Sequence, residues 1–285
     1  MKLLDFEYAA PASLSEAIKL LDAAKGSARP LSGGQSLLPA MAYRLATPSL
    51  LVDLRNIPDL NRIDIDASGV SLGARVRWRD ILDDERLVVA HPLLLSAIGH
   101  VAHYQIRNRG TVGGSLAHSD PAAEMVGIAV ACDATIDIEG KNGCREMAAA
   151  KFITGPLSNA LADDELIVAV RLPAWPASRC WAFEEFSFRR GDFALAAVAV
   201  FFDLDNDGRI CNPHVGIVGA CDRPHRLLQC EAVLAGLRPR DIVITEVVRA
   251  AEGDLDPPSD LHASAHYRRS LSVTLLERAL VEATR

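Results

Sequence analysis

Two glycine pairs with neighbouring hydroxyl residues are the parts of the sequence best suited to bind an anion. The longer segment, Thr111 to Pro121, reads TVGGSLAHSDP and adds an imidazole and a carboxylate to its hydroxyl groups. The shorter segment, Ser32 to Pro39, reads SGGQSLLP. Because glycine has no Cβ, a ligand can approach the backbone N–H groups of such segments closely. The two segments therefore predict two walls around one phosphate-bearing ligand.

Either glycine pair, taken alone, is more often an ordinary turn than a binding site. Neither is followed by Gly-Lys-Ser/Thr as in a Walker A loop, and neither reads G-x-G-x-x-G. The pattern therefore gives no support to a P-loop nucleotidase or to a Rossmann dinucleotide site.

Length, composition and charge restrict the class of protein. The 285 residues are enough for two domains, and 49% apolar with 24% charged residues is ordinary for a globular protein. The net charge of −7 argues against a nucleic-acid partner. Asp5 falls where a signal peptide would be apolar, and no apolar run approaches the roughly 18 residues of a membrane span. We expect a cytoplasmic protein without a membrane span.

The cysteines and histidines do not form a metal-binding pattern. The six cysteines include no C-x-x-C pair, and their spacings suit neither zinc nor an iron–sulfur cluster. The eight histidines form no H-E-x-x-H pair. The sequence therefore predicts buried thiols and no metal bound by this chain.

The elements around the glycine segments follow from hydrophobic periodicity. Ser13 and Glu16 predict a capping box that begins a helix. A short helix over residues 37–45 is expected behind the first segment, and the second segment is expected to be a loop before a helix over residues 122–131. The remaining strands are expected at residues 49–54, 63–65, 70–72, 135–138 and 166–172.

A change of pattern near residue 174 predicts a domain boundary. The stretch from Ala174 to Ser178 carries Trp and Pro among small residues. Three strands are predicted after it, over residues 180–188, 194–203 and 210–219, and then three helices, over residues 224–235, 241–251 and 264–283. Strands followed by helices favour an α+β domain with its helices on one face of an antiparallel sheet.

Four segments together resemble the medium, FAD-binding subunit of the molybdenum hydroxylases, the family of xanthine dehydrogenase and carbon monoxide dehydrogenase. Two of them contain the glycine pairs, and the other two read RGDFA and SAHYR. They occur in the family's order over the whole chain, at Ser32 to Pro39, Arg107 to Pro121, Arg190 to Ala194 and Ser264 to Arg268.

The resemblance implies an α+β fold with two domains. Residues 1–174 would form an FAD-binding module of the vanillyl-alcohol oxidase (PCMH) type. Its N-terminal lobe would cover about 1–54, and its middle lobe about 55–174. Residues 175–285 would form a small α+β domain of the carbon monoxide dehydrogenase flavoprotein type, with an antiparallel sheet and helices.

The resemblance also implies roles for individual residues, none of them a general acid or base. The first segment would bind the FAD pyrophosphate through Ser32, Gly33, Gly34, Gln35, Ser36 and Leu37. The second would bind the other side of the diphosphate and the ribityl chain through Thr111, Gly113, Gly114 and Ser115. Asp120 would accept from sugar hydroxyls, Val101 and Ile167 would lie near the flavin ring, and His118 would contact FAD or pack the loop. Where some relatives carry a lysine near the flavin, this chain has Glu184, which would alter flavin basicity or point away.

The implied function is electron transfer. A large subunit with a molybdopterin cofactor would hydroxylate the substrate, and electrons would pass through two 2Fe-2S clusters on a small subunit to FAD here and on to an acceptor. The assembly would be a dimer of heterotrimers. Two alternatives stay open from the sequence: a stand-alone flavoenzyme of the same fold acting on a small molecule, and a scaffold subunit without cofactor.

Overall fold

The computed structural model describes residues 3–285, so Met1 and Lys2, which begin the segment assessed for a leader, lie outside the described residues. The first lobe is a three-stranded parallel sheet in the order β1-β3-β2. Its elements are β1 (Glu7–Ala9), α1 (Leu14–Ala24), β2 (Ala28–Leu31), α2 (Leu37–Ala42) and β3 (Leu50–Asp53), followed by a 3₁₀ turn at Leu54–Asn56.

The predicted start of α1 is confirmed with one difference. Ser13 Oγ accepts from the backbone N–H of Glu16 at 3.2 Å. The Glu16 carboxylate accepts from Ala12 at 3.0 Å, one residue before the position a capping box requires. The buried face of α1 carries Ala17, Ile18 and Leu21, which pack against the parallel sheet.

The second unit is a five-stranded antiparallel sheet in the order β4-β5-β10-β6-β7. Helix α8 covers this sheet, and all eight of its residues are buried. Its sequence is apolar on nearly every side, as is typical of a helix in the centre of a protein. The elements are β4 (Ile63–Asp66), β5 (Gly69–Gly73), α3 (Trp78–Asp83), α4 (Leu87–Ala90), α5 (Pro92–Ile98), α6 (Tyr104–Arg107), α7 (Val112–His118), α8 (Glu124–Ala131), β6 (Thr135–Gly140), β7 (Gly143–Ala148), α9 (Ala149–Phe152), β8 (Ile153–Gly155), β9 (Ser158–Asn159) and β10 (Leu166–Pro173).

The last unit is a four-stranded antiparallel sheet in the order β11-β12-β13-β14 with its helices on one face. Its elements are β11 (Cys180–Phe186), β12 (Ala196–Leu204), β13 (Ile210–Val218), β14 (His225–Arg226), α10 (Leu228–Leu234), a 3₁₀ turn at Pro239–Asp241, α11 (Ile244–Asp254) and α12 (Ala265–Ala283). The predicted α+β class is therefore confirmed.

Strand β12 is buried on both faces because it lies between two cores. Ala197, Ala199 and Phe201 join the core that contains α8, whereas Val198 and Val200 join the core beneath α12. Alternating side chains point to opposite faces of a strand. Each residue of β11 beside it therefore faces either the second unit or the C-terminal helices.

Several predicted boundaries were wrong. The second glycine segment is mostly helix, because α7 occupies Val112–His118. Helix α2 ends at Ala42, and α8 begins at Glu124 rather than residue 122. The predicted helix over 224–235 is β14 followed by the shorter α10, and the helix predicted from residue 241 begins at Ile244. Strands β1, β2, β7, β8 and β9 were not predicted from the sequence.

No helix within residues 3–285 is both long enough and apolar enough to cross a bilayer.

Candidate functional site

The first glycine segment connects the end of β2 to the start of α2 and leaves a run of backbone donors free. The N–H groups of Gly33 to Leu37 donate to no atom of the described chain. Gly34 has φ +73°, a conformation that glycine adopts without strain. Gln35 Nε2 donates to Gly33 O at 3.1 Å and braces the loop. Consecutive free N–H groups of this kind form a concavity that binds anions.

Ser36 adds a hydroxyl to this segment. It stands at the N-cap of α2, but its side chain makes no capping hydrogen bond. The residue is exposed. The hydroxyl therefore remains available to a ligand.

The two glycine segments lie against each other. Ser32 Oγ and Thr111 Oγ1 are 3.0 Å apart and share a hydrogen bond. Gly33 sits so close to the second segment that a Cβ there would lie 2.2 Å from Arg109 O and 3.0 Å from Gly110 Cα. Glycine at position 33 is therefore required by this contact.

The backbone N–H groups of the second segment already donate within the protein. The prediction that this segment is a loop whose free N–H groups bind an anion is therefore wrong. Val112 N–H donates to Val76 O at 2.9 Å, and Gly113 N–H donates to Ala74 O at 2.8 Å. Thr111 Oγ1 caps α7 by accepting from Gly114 N–H at 3.2 Å. These N–H groups are consequently not free for a diphosphate.

The two glycines of α7 lack a side chain for different reasons. A Cβ on Gly113 would lie 2.6 Å from Ala74 Cβ, so this glycine serves the packing of α7 on the second sheet unit. A Cβ on Gly114 would meet only Thr111 Oγ1, at 2.7 Å. The neighbouring Ser115 is partly exposed, and its N–H donates to Thr111 O at 3.0 Å. The parts of α7 that a ligand can contact are therefore the Ser115 hydroxyl and the surface beside Gly114.

The remaining predicted site residues have separate positions. Val101 and Ile167 are 8% and 5% exposed and belong to the core of the second unit. His118 ends α7 and is partly exposed. Asp120 Oδ1 accepts from Ala122 N–H at 2.9 Å, while Oδ2 accepts no hydrogen bond from residues 3–285. Asp120 therefore keeps one carboxylate oxygen available for a ligand.

Glu184 does not face the second unit. It lies on β11 with its side chain toward α12, where Glu277 and Arg278 line the same shallow pocket. The next residue, Glu185, faces the second unit, and its Oε1 lies 3.6 Å from His100 Nδ1. Glu184 and Glu185 therefore lie on opposite faces of β11, and it is Glu185 that faces the second unit.

Glu185 belongs to a buried acidic group that sequence analysis missed. Its side chain is 2% exposed, and Oε2 has no hydrogen-bond partner in the described chain. Burial, and then the nearby Glu124, raises the pKa of Glu185 to about 8. Burial, and then Asp120, raises the pKa of Glu124 to about 7. Burial, and then Arg190, lowers the pKa of His100.

Comparisons with known proteins agree with this fold. Residues 4–175 match the FAD binding domain in molybdopterin dehydrogenase, and residues 181–283 match the CO dehydrogenase flavoprotein C-terminal domain. The chain belongs to this family of FAD-binding flavoproteins. The family prediction, the oxidoreductase class and FAD as the cofactor of this chain are therefore confirmed.

Individual relatives cover almost the whole chain. The nicotine 6-hydroxylase medium subunit of Paenarthrobacter nicotinovorans is 38% identical over 283 residues, which is 99% of each chain. Carbon monoxide dehydrogenase from Hydrogenophaga pseudoflava has a TM-score of 0.95 with 33% identity, covering 99% of this chain and 98% of its own. Quinoline 2-oxidoreductase from Pseudomonas putida 86 has a TM-score of 0.93 with 36% identity, covering 100% and 98%.

Proposed function

We propose that this chain passes electrons from 2Fe-2S clusters on a small partner subunit, through its FAD, to an external acceptor. A large partner subunit would carry the molybdopterin cofactor and hydroxylate the substrate. The complex would be a dimer of heterotrimers. The observation that carries the proposal is the run of free N–H groups at Gly33 to Leu37, held against Thr111 in a chain of this family.

We propose that the first segment binds the FAD diphosphate and the second positions it. Five free N–H groups and the Ser36 hydroxyl supply donors to an anion without a lysine or arginine. Thr111, Gly113, Gly114, Ser115 and His118 would form the opposite wall. Asp120 would accept from a sugar hydroxyl through Oδ2, and Val101 and Ile167 would support the ring from the core.

FAD supplies the redox chemistry, and the side chains of this chain set its binding, orientation and surroundings. The first segment would supply hydrogen-bond donors for the diphosphate, and Val101 and Ile167 would supply apolar contacts for the ring. Val101 and Ile167 lie in a packed core, which keeps water away from whatever contacts them. The chain thereby fits a cofactor that is held in place while electrons enter and leave.

We propose a domain division near residue 174, with lobes of about 1–54 and 55–174 followed by residues 175–285. The separate sheets and the two matched family segments support it. We also propose a cytoplasmic location. Six free cysteines support it, since disulfides are rare in reducing compartments.

The electron path is tested by anaerobic substrate titration of the purified complex. We expect the flavin absorbance to bleach after molybdenum and the clusters become reduced. The complex assembled with an FAD-free preparation of this chain is the control, and its clusters should reduce and then stop. Reduction of the external acceptor at an unchanged rate in that control would show that electrons bypass this chain.

Replacing Asp120 with asparagine should weaken FAD binding by about 1.5–3 kcal/mol, the usual worth of a hydrogen bond to a charged group. The amide oxygen can still accept from Ala122 N–H, so the turn before α8 is retained. The measurement is the FAD dissociation constant by equilibrium dialysis. Asp120→Ala, which also removes the hydrogen bond from Ala122 N–H, serves for comparison. Equal FAD affinity in wild type and Asp120→Asn would mean that Asp120 only stabilises the turn before α8.

A further inference from the structure

His100 and Glu185 approach each other at the contact between the second unit and the C-terminal sheet, and Glu124 lies close enough to Glu185 to act on it electrostatically. Glu185 projects from β11 and Glu124 begins α8, and both are buried. His100 follows α5, and its side chain is 43% exposed. His100 Nδ1 lies 3.6 Å from Glu185 Oε1, which is beyond a hydrogen bond but within reach of a small side-chain rotation. His100 is therefore the member in contact with solvent, and the two carboxyl groups lie in the interior.

The surroundings of Glu185 favour a neutral acid over a carboxylate. Its Oε2 is buried without a hydrogen-bond partner among residues 3–285, and a buried ionised carboxylate in that position is costly. The ionisable groups near Glu185 are Glu124 on α8 and His100 after α5. Asp120, before α8, acts on Glu124, and Arg190, in the turn after β11, acts on His100. Two of the four are acidic, and Arg190 acts on His100 rather than on Glu185.

The group lies beside two residues that we propose as cofactor contacts. His100 is followed directly by Val101, and Glu124 comes four residues after Asp120. A negative charge added near a carboxyl group raises its affinity for a proton. Coupling between two sites is reciprocal, so a proton bound to the carboxyl group makes the addition of the negative charge more favourable by the same free energy.

We propose that Glu124, Glu185 and His100 form a proton-holding site whose occupancy is linked to the charge of the bound cofactor. The inference rests on the proposed function, because it requires FAD beside Val101. One proton enters from solvent through His100 and resides on the carboxyl pair, while electrons reach the cofactor from the partner clusters. No bond to the cofactor forms, and the added proton offsets the added negative charge.

The first measurement needs neither cofactor nor activity. Infrared spectra of the cofactor-free chain should contain the C=O stretch of a buried protonated carboxyl at neutral pH, and the band should disappear as the pH passes about 8. Glu185→Gln should remove the part of the band that is lost near pH 8, whereas Glu124, whose pKa is about 7, keeps a part that is lost at lower pH. Glu184→Gln is the matched control, since that side chain lies one residue away on the opposite face of β11 and should leave the band unchanged. Absence of a titrating band in wild type overturns the inference.

The second measurement tests the link to the cofactor. The midpoint potential of bound FAD, followed against pH, should depend on pH less steeply in Glu185→Gln than in wild type and Glu184→Gln. Glu124→Gln gives an independent variant: it should move the loss of the infrared band to lower pH by about one unit, because a neighbouring charge is gone. Superimposable potential curves for wild type and Glu185→Gln, with FAD retained, overturn the inference alone. Failure of wild type to retain FAD instead overturns the proposed function.

Discussion

Gly33→Ala should lower the affinity for FAD by up to about 100-fold. The new methyl group would lie 2.2 Å from Arg109 O and 2.9 Å from Arg109 C, and both are backbone atoms that cannot rotate away. Relieving such a contact typically costs 1–3 kcal/mol, and about 1.4 kcal/mol is tenfold in affinity. The change that removes this clash at the lowest energy is a shift of the first segment away from the second. That shift displaces the free N–H groups of Gly33 to Leu37. The FAD dissociation constant, measured by flavin fluorescence, reports the effect.

The matched control is Gly155→Ala in β8. The nearest atom to a Cβ at that position is Ser158 Cβ at 3.9 Å, an ordinary contact, so FAD affinity should not change. Circular dichroism of both variants separates loss of binding from loss of fold. A folded Gly33→Ala protein with the affinity of the control would mean that the contact with Arg109 does not shape the binding site.

The sequence predicted the first glycine segment well because its behaviour is local. Gly34 adopts a positive φ, and the helix behind the segment begins at Leu37 as expected. Only its end was misplaced, because Arg44 takes a left-handed conformation that periodicity does not reveal. Local backbone preferences therefore decided most of this half of the site.

The second segment was predicted as a loop because two glycines disfavour a helix by about 1 kcal/mol each. Distant partners outweigh that preference: Ala74 O and Val76 O accept from the first N–H groups of α7, and Thr111 caps the helix. A threonine before an apolar residue was the available signal for the cap. The acceptors lie more than thirty residues away in sequence, and no pattern within the segment could have indicated them.

The two alternatives for Glu184 could have been narrowed by the alternation of side chains along β11, because the sequence contained that information. Phe183 packs in the core of the second unit, so Glu185, two residues on, shares its face and Glu184 does not. Adjacent glutamates in a strand are indistinguishable by residue type. Their roles differ because one meets Glu124 and His100 in a core and the other lies partly exposed beside α12.

Glu185→Gln should remove much of the loss of stability that wild type suffers as the pH rises. The pKa of Glu185 is about 8 in the folded chain against an ordinary 4.5, so the folded state binds the proton more tightly than the unfolded state. Stability is then greatest below about pH 4.5 for this group and falls until the pH has passed about 8. One pKa unit corresponds to about 1.4 kcal/mol, and relaxation around the ionised carboxyl reduces the full value. Between pH 5 and pH 8.5, the free energy of unfolding of the variant should therefore rise by roughly 2–4 kcal/mol relative to that of wild type. Urea unfolding of the cofactor-free chain at both pH values measures this gain, with Glu184→Gln as the control that should follow wild type. Parallel losses in wild type and Glu185→Gln would mean that Glu185 is already ionised in the folded chain at neutral pH.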